Sequence, residues 1–186
     1  MALTYGTDEW IRAYDELVKE RAGGGPPYIM GTPEWVAQYE KMVQEDAEYK
    51  EAAKTWEGSV VIHILPKPEV GLIDEMYIFM DLWHGDCRFM RIVPKDAGEA
   101  GDFVITGEYD RWRAVMAKEL DTVKGMMQGK LKLKGDLPTI VRAVKAASRL
   151  VDLSAATEPK FPDELSEEEI EKLRVFFREA KEEFGI

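Results

Sequence analysis

Residues 126–153 constrain the fold of this chain more than any other stretch. Residues 130–134 alternate lysine with leucine, which is the period of a β-strand that has one face buried and one face in water. Gly135 ends this strand, and Asp136 is a candidate N-cap for a helix with Pro138 in its first turn. Apolar residues then recur at helical spacing. The sequence predicts a strand followed directly by an amphipathic helix.

Four segments upstream have the pattern of strands. Residues 60–65 are apolar on both alternations, as in a strand that is covered on both faces. Residues 74–84 alternate, and the uncharged set in this segment is predicted to face the interior. Gly85 and Asp86 read as a hairpin turn, so that residues 87–93 return antiparallel and residues 103–106 follow as a fourth strand. The interior set of the second strand is Met76, Ile78, Met80 and Leu82.

Helix signals surround these strands. Thr7 and Thr32 are candidate N-caps of two N-terminal helices, separated by a loop rich in glycine and proline. Trp112 opens the apolar stripe of a helix after the fourth strand, and a short helix occupies residues 120–128. Ser166, with glutamate three residues later, forms a capping box that begins a C-terminal amphipathic helix.

The order of these elements predicts an α+β fold. We expect one domain over residues 1–186, with a mostly antiparallel five-stranded sheet that helices cover on one face. Within it, residues 1–57 form an N-terminal helical part, 58–153 the core, 154–165 a linker and 166–186 the C-terminal helix. The four upstream strands are expected to form an antiparallel meander.

Composition excludes several classes of function. A formal net charge of −11 argues against binding to nucleic acid and to anionic lipid surfaces, because neutralising phosphates requires clustered Lys and Arg. Cys87 is the single cysteine, and the sequence shows neither a signal-peptide pattern nor a long apolar run. We therefore expect a cytoplasmic protein that makes at most transient contact with membranes.

Candidate catalytic and metal-binding residues are few. His63 lies in an apolar run, where a hydrogen-bonded core residue is expected. His84, Asp86 and Cys87 meet at a turn and have the chemistry for a metal site or a Cys-His pair, but a fourth ligand is missing. Arg88 and Arg91 are expected to pair with acids across the hairpin. The sequence predicts no catalytic residue, no metal and no cofactor.

One family resemblance rests on an ordered set of motifs. The segment from Gly129 to Asp136 lies between a Met-rich short helix and an amphipathic helix, and resembles the closing motif of the sterol carrier protein 2 (SCP2) family. Residues 102–107, followed by an aromatic helix start at residues 109–112, resemble an upstream segment of the same family. The resemblance spans about residues 56–153.

This resemblance implies that a hydrophobic lipid, of fatty acyl, isoprenoid or sterol-like type, lies in an apolar tunnel between the sheet and the helices. It implies binding and carriage without catalysis. The methionines suit such a tunnel, since their side chains adapt to ligands of varied shape. The implied ligand-binding residues are Met76, Ile78, Met80, Phe103, Ile105, Trp112, Met116, Met126, Met127, Leu131, Leu133, Ile140 and Val144. The C-terminal helix lies beyond the resemblance, and we expect its residues Leu173, Phe176 and Phe177 to contact the ligand as a lid.

Alternatives stay open at this stage. The C-terminal helix has the stripe of a helix that docks onto a partner protein or onto a second copy in a homodimer. The chain also fits an accessory module of an enzyme of lipid or acyl-thioester metabolism. Four basic residues near the start of the central helices are candidates for binding an anionic headgroup of the ligand, as an alternative to ordinary surface charge. They are Arg111, Arg113, Lys118 and Lys124.

Overall fold

A computed structural model describes residues 2–186 and contains nine α-helices and five strands within that range. Along the chain they are α1 (Asp8–Ala22), α2 (Pro33–Glu45), α3 (Ala47–Ala52), β1 (Val60–Ile64), β2 (Met76–Trp83), β3 (Asp86–Val93), α4 (Lys95–Glu99), β4 (Phe103–Gly107), α5 (Tyr109–Met116), α6 (Thr122–Met127), β5 (Lys132–Lys134), α7 (Leu137–Arg142), α8 (Val144–Ala156) and α9 (Glu167–Phe184). No helix within residues 2–186 combines the length and apolar character needed to cross a bilayer.

The five strands form one sheet in the order β3-β2-β1-β4-β5. The α+β class is confirmed, and three of the four strand pairings are antiparallel. The predicted four-strand meander is wrong for β4, which pairs with β1 in parallel. The reason is the crossover: α4 packs on the outer side of β1 and β2 and carries the chain past them. The sheet is therefore mixed, and β3 is left at one edge.

The two faces of the sheet are covered differently. The side chains of Met76, Ile78, Met80 and Leu82 are buried on the helix-covered face, as predicted for β2. The outer face carries a smaller cluster of Val61, Tyr77, Val93 and Val104, against which Ala97 of α4 packs. The prediction that β1 is covered on both faces is confirmed. The expectation that helices cover only one face is incomplete, because α4 also covers β1 and β2.

Local signals determine most of the ends of these elements. Asp136 caps α7 through its side chain, and Ser166 and Glu169 form the predicted capping box of α9. The hairpin turn lies at His84 and Gly85, which both have positive φ, and not at the predicted Gly85-Asp86. Asp86 already pairs with Trp83 across the two strands, so the turn begins one residue earlier. The helix predicted after Asp136 is divided into α7 and α8.

The two ends of the chain pack on each other in what we call the terminal clasp, formed by Trp10, Tyr14 and Phe184. The indole Nε1 of Trp10 donates to the carbonyl oxygen of Phe184 at 3.0 Å. The hydroxyl of Tyr14 accepts from the backbone N–H of Ile92, and the carboxylate of Glu40 accepts from that of Met90. These side chains occupy backbone donors on edge strand β3, which protects the edge from pairing with another chain.

Candidate lipid cavity

An apolar cavity of about 120 Å³ lies between the helix-covered face of the sheet and the helices. Its floor is formed by residues that pair in register on β1, β2 and β4, such as Ile62 with Ile78 and with Ile105. Its walls come from α2, α3 and α5–α8. The arrangement follows from the period of two along the strands, which turns alternate residues of all three strands to one side.

Seven of the sixteen residues expected to bind a ligand line this cavity. They lie on two strands and three short helices that the chain brings together from different places. Contact with a ligand stays a prediction for each of them. The seven are Ile78, Met80, Ile105, Trp112, Met116, Met126 and Ile140.

Four further residues from the strands and their flanks lie outside the cavity. Met76 packs against Gly31, and the ring of Phe103 packs against Trp56 with 5.0 Å between the ring centroids. Leu131 is buried between Gly107 and Gly125, where glycines leave space for its side chain. Leu133 is only partly buried, at the end of the sheet. An inward-facing position on a strand is therefore not sufficient to reach the cavity.

The remaining five residues lie on helices and point elsewhere. The side chain of Met127 is 68% exposed, and Val144 lines a neighbouring cavity instead. Leu173 and Phe177 are buried within the chain, while Phe176 packs under the guanidinium of Arg21. The apolar face of α9 is thus occupied inside this chain, away from the cavity. A lid function for α9 stays a prediction.

Sequence reasoning missed most of the helical wall. Ala143, Ala146 and Ala147, at the α7–α8 junction and on α8, face the sheet with side chains too small to fill the space above it. The aromatic wall contains Tyr39 of α2 and Trp56. Tyr39 and Trp56 belong to an aromatic stripe that the sequence shows. Alanines do not indicate a cavity, because they are also common where two helices pack without a space between them. Other lining residues that were missed are Met30, Tyr49, Val60, Ile62, Ile64, Leu82, Val115, Thr122, Leu150, Val151 and Ser154.

Polar contacts hold α8 in position over the sheet. The guanidinium of Arg149 donates to both oxygens of Asp46, at 2.8 and 2.7 Å. These hydrogen bonds lower the pKa of Asp46 below its ordinary value. The hydroxyl of Tyr39 donates to the carbonyl oxygen of Leu150 at 2.7 Å. Helix α8 is therefore attached to α2 and to the start of α3, which keeps the alanine face above the cavity.

A second cavity of about 200 Å³ adjoins the first and shares Val115, Thr122, Ala147 and Val151 with it. It is more polar, because Lys118 and Asp152 form an ion pair at its edge, with 2.8 Å between Nζ and Oδ1. The hydroxyl oxygen of Thr122 is buried and has no hydrogen-bond partner within residues 2–186. A ligand that passes between the two cavities would therefore meet an unused hydroxyl group.

Both histidines form hydrogen bonds with neighbouring side chains. His63 is buried, bonds Thr106 and Glu75 through its two ring nitrogens and stacks on Tyr77, which confirms the predicted core position. His84 contacts Glu57. No group of three metal-ligating side chains occurs within residues 2–186. The predicted pairing of Arg88 across the hairpin is confirmed by its bond to Asp81 at 2.8 Å. The prediction is wrong for Arg91, whose guanidinium lies over the ring of Phe89 and forms no ion pair within residues 2–186.

Cys87 is expected to resist alkylation in the folded protein. Its side chain is 5% exposed, and burial raises the pKa of its thiol to about 12, so that very little reactive thiolate exists at pH 8. We expect iodoacetamide to react at least about 100-fold more slowly than with an exposed cysteine. Mass spectrometry of timed reactions measures this rate. Denatured protein is the control, and equal rates in both states would contradict the prediction.

Comparisons with known proteins agree with this geometry. The model of the SCP-2 sterol transfer family matches residues 38–147. A crystal structure of sterol carrier protein 2 is 34% identical in sequence, with a TM-score of 0.62, and the alignment covers 68% of this chain and 97% of that one. A conserved hypothetical protein from Thermus thermophilus, described as a possible sterol carrier protein, is 32% identical, with a TM-score of 0.63 and coverage of 70% and 91%. Comparison with curated protein sequences gave no match.

The family match spans more than half of the chain, and the similar crystal structure is covered almost completely. Membership supports the binding or transfer of lipids or sterols in general. The parts outside the family match include α1, the start of α2 and α9, and of these α1 and α9 meet in the terminal clasp. Because the family model matches more than half of its residues, the chain belongs to the SCP-2 sterol transfer family.

Proposed function

We propose that this protein binds a lipid with one long apolar chain in the cavity between sheet and helices, and carries it without chemical change. The observation that carries this proposal is the cavity itself, which is walled almost entirely by apolar side chains. Burial of a chain of about sixteen carbons has a gross driving force on the order of 10 kcal/mol, before the cost of association is subtracted.

The cavity must adapt to accept a long chain. Its volume of about 120 Å³ is close to that of an apolar cavity of about 150 Å³ that holds a benzene-sized molecule. Met30, Met80, Met116 and Met126 line it, and their unbranched side chains change rotamer at low cost. We expect the proposed ligand to enter by displacing these methionine side chains.

The second cavity would accept the polar end of the ligand. It adjoins the first through Thr122, whose buried hydroxyl oxygen lacks a partner in the described part of the chain. A hydroxyl or carbonyl group on the ligand would satisfy the hydrogen bonding of this hydroxyl, which otherwise costs free energy in a buried position. The ligand would then lie with its tail over the sheet and its polar end between α6 and α8.

The composition of the cavity supports carriage over catalysis. Among the residues 2–186 that line it, there is no Asp, Glu, His, Lys or Cys. Burial raises the pKa of the hydroxyls of Tyr39 and Tyr49 far above their ordinary values, so these groups stay protonated at neutral pH. General acid–base chemistry needs a group that titrates near the working pH.

Native mass spectrometry of freshly purified protein tests the proposal. We expect an adduct with the mass of a lipid, which solvent extraction releases for identification. If the protein is purified empty, a fluorescent sixteen-carbon fatty acid serves as the probe, and we expect saturable binding at one site. A clean apo mass together with no uptake of the probe would refute the proposed function.

A further inference from the structure

The charge of this protein is divided very unevenly along the chain. Residues 122–148 contain six Lys or Arg and one acid, a formal charge of +5, whereas the rest of the chain carries −16. The overall value of −11 therefore hides a basic segment that forms α6, β5, α7 and the start of α8. The argument from net charge against anionic surfaces does not apply to this segment, since electrostatic attraction acts over about one Debye length of about 10 Å.

Exposed apolar residues occur in the same segment. Three of the five large apolar side chains that are most exposed to solvent in the described part of the chain are Met127 at 68%, Val141 at 44% and Val144 at 42%. Each is the chain neighbour of a residue that lines the cavity, namely Met126, Ile140 and Ala143. The helices that wall the cavity thus also present apolar side chains to solvent.

Cations accompany these apolar residues. Lys124 lies three positions before Met127 on α6, which places both on one side of that helix. Arg142 and Lys145 flank the junction between α7 and α8, beside Val141 and Val144. All three cations are exposed, and none forms an ion pair with any residue of the described range 2–186. We call Lys124, Met127, Val141, Arg142, Val144 and Lys145 the α6–α8 patch.

The acids closest in sequence form no ion pair with these three cations within residues 2–186. Asp121 accepts the backbone N–H of Lys124 and caps α6. Asp136 accepts the backbone N–H and the hydroxyl of Thr139 and caps α7. Both carboxylates lie at the positive ends of helix dipoles. The hydrogen bond from Thr139 and, to a smaller extent, the charge of Arg142 lower the pKa of Asp136, and Arg142 donates to the hydroxyl of Thr139. The helices themselves are in contact, since α8 packs against both α6 and α7.

We propose that the α6–α8 patch docks on the surface of an anionic lipid bilayer. Exposed cations around exposed methionine and valine match such a surface, because phosphate groups attract the cations while the apolar side chains enter the interface. A nucleic acid would favour exposed aromatic rings for stacking, and the patch has none. The position of the patch on the walls of the cavity would place the entrance against the source of the ligand, which goes beyond the proposed binding in solution.

Flotation of the full chain with vesicles tests this proposal. One set is pure phosphatidylcholine, and the other is a three-to-one mixture of phosphatidylcholine and phosphatidylglycerol. We expect binding to the mixed vesicles only, and we expect it to weaken steeply between about 50 and 500 mM salt. Each basic residue near an anionic bilayer raises the partition coefficient about fivefold. Reversing the charge of three such residues is therefore expected to lower the partition coefficient by about 100-fold or more.

Two triple variants with the same charge separate the patch from net charge. K124E/R142E/K145E changes the patch, and R12E/K41E/R178E changes three exposed cations elsewhere that form no ion pair within residues 2–186. Each makes the formal net charge −17. We expect the patch variant to lose binding and the control variant to retain most of it. Equal loss in both, or equal binding to neutral vesicles, would overturn the proposal.

Two further measurements distinguish the other outcomes. Uptake of the fluorescent fatty acid in solution is expected to be unchanged in the patch variant, because none of its three residues lines the cavity. A clean apo mass together with absence of uptake in the unmodified protein would refute the proposed function without affecting docking. An RNA oligonucleotide is tested in parallel, and retention of RNA without binding to vesicles would overturn the assignment to lipid.

Discussion

Ala146→Leu is expected to weaken binding of the fluorescent fatty acid strongly. Ala146 is buried on the face of α8 that lies over the sheet, and its side chain lines the cavity. A leucine side chain there adds roughly 80 Å³ at the density of a protein core, against a cavity of about 120 Å³. We expect affinity to fall at least about tenfold, as measured by fluorescence titration. Stability should be unchanged or higher by about 1 kcal/mol, since filling an apolar cavity restores packing contacts.

Ala156→Leu is the matched control. Ala156 lies at the exposed end of the same helix and does not line either cavity, so the same three carbon atoms are added in water. We expect unchanged affinity for this variant. Full retention of uptake by the Ala146 variant, with a folded circular dichroism spectrum, would contradict the assignment of this cavity as the ligand site.

Trp10→Ala is expected to produce the largest loss of stability. Trp10 is 0% exposed, stacks on Tyr14 with 4.9 Å between ring centroids, and meets the ring of Phe184 edge to face. Its indole also donates to the carbonyl oxygen of Phe184. Removal of a buried tryptophan side chain costs about 3–5 kcal/mol in the free energy of unfolding. Because the clasp joins α1 to α9, both termini should detach, which urea denaturation followed by circular dichroism will measure.

A second tryptophan provides the control for this experiment. Trp83 is 42% exposed at the end of β2, so Trp83→Ala removes the same side chain from a position that is half in water. We expect a loss of about 1 kcal/mol or less, as is usual for exposed positions. Unlike Trp83→Ala, Trp10→Ala should also uncover edge strand β3 and promote association between copies of the chain. Equal losses for the two variants would contradict the stabilising role of the clasp, because Trp10 would then contribute no more than a half-exposed tryptophan.

Local patterns predicted much of the fold. The period of two in residues 74–84 identified the buried set of β2, and side-chain caps marked the starts of α1, α7 and α9. These features depend on residues within a few positions of each other. The parallel pairing of β4 with β1 could not be predicted in this way, because any neighbouring strand can satisfy the backbone of β4.

The sequence predicted the type of site, an apolar cavity, more accurately than it predicted the residues that line the cavity. Met80, Met116 and Met126 were identified because the resemblance to the SCP2 family assigns their elements to a tunnel, where methionine side chains adapt to a ligand. Leu131 was expected there because it lies on the same closing segment, yet it fills the space beside Gly107 and Gly125. Ala146 was missed. A cavity is defined by the space that side chains leave unfilled, and a sequence does not display that space.

By itself, the sequence determined the α+β class, the family resemblance and the apolar character of the interior, because these depend on residue type and periodicity. Only the tertiary structure decided that α1 and α9 meet in a clasp, and that small residues of α8 face the sheet. It also placed the cations of α6 to α8 beside exposed apolar side chains on contacting helices. The physical reason is that packing between distant segments depends on shape complementarity summed over many contacts, which no local pattern of residues records.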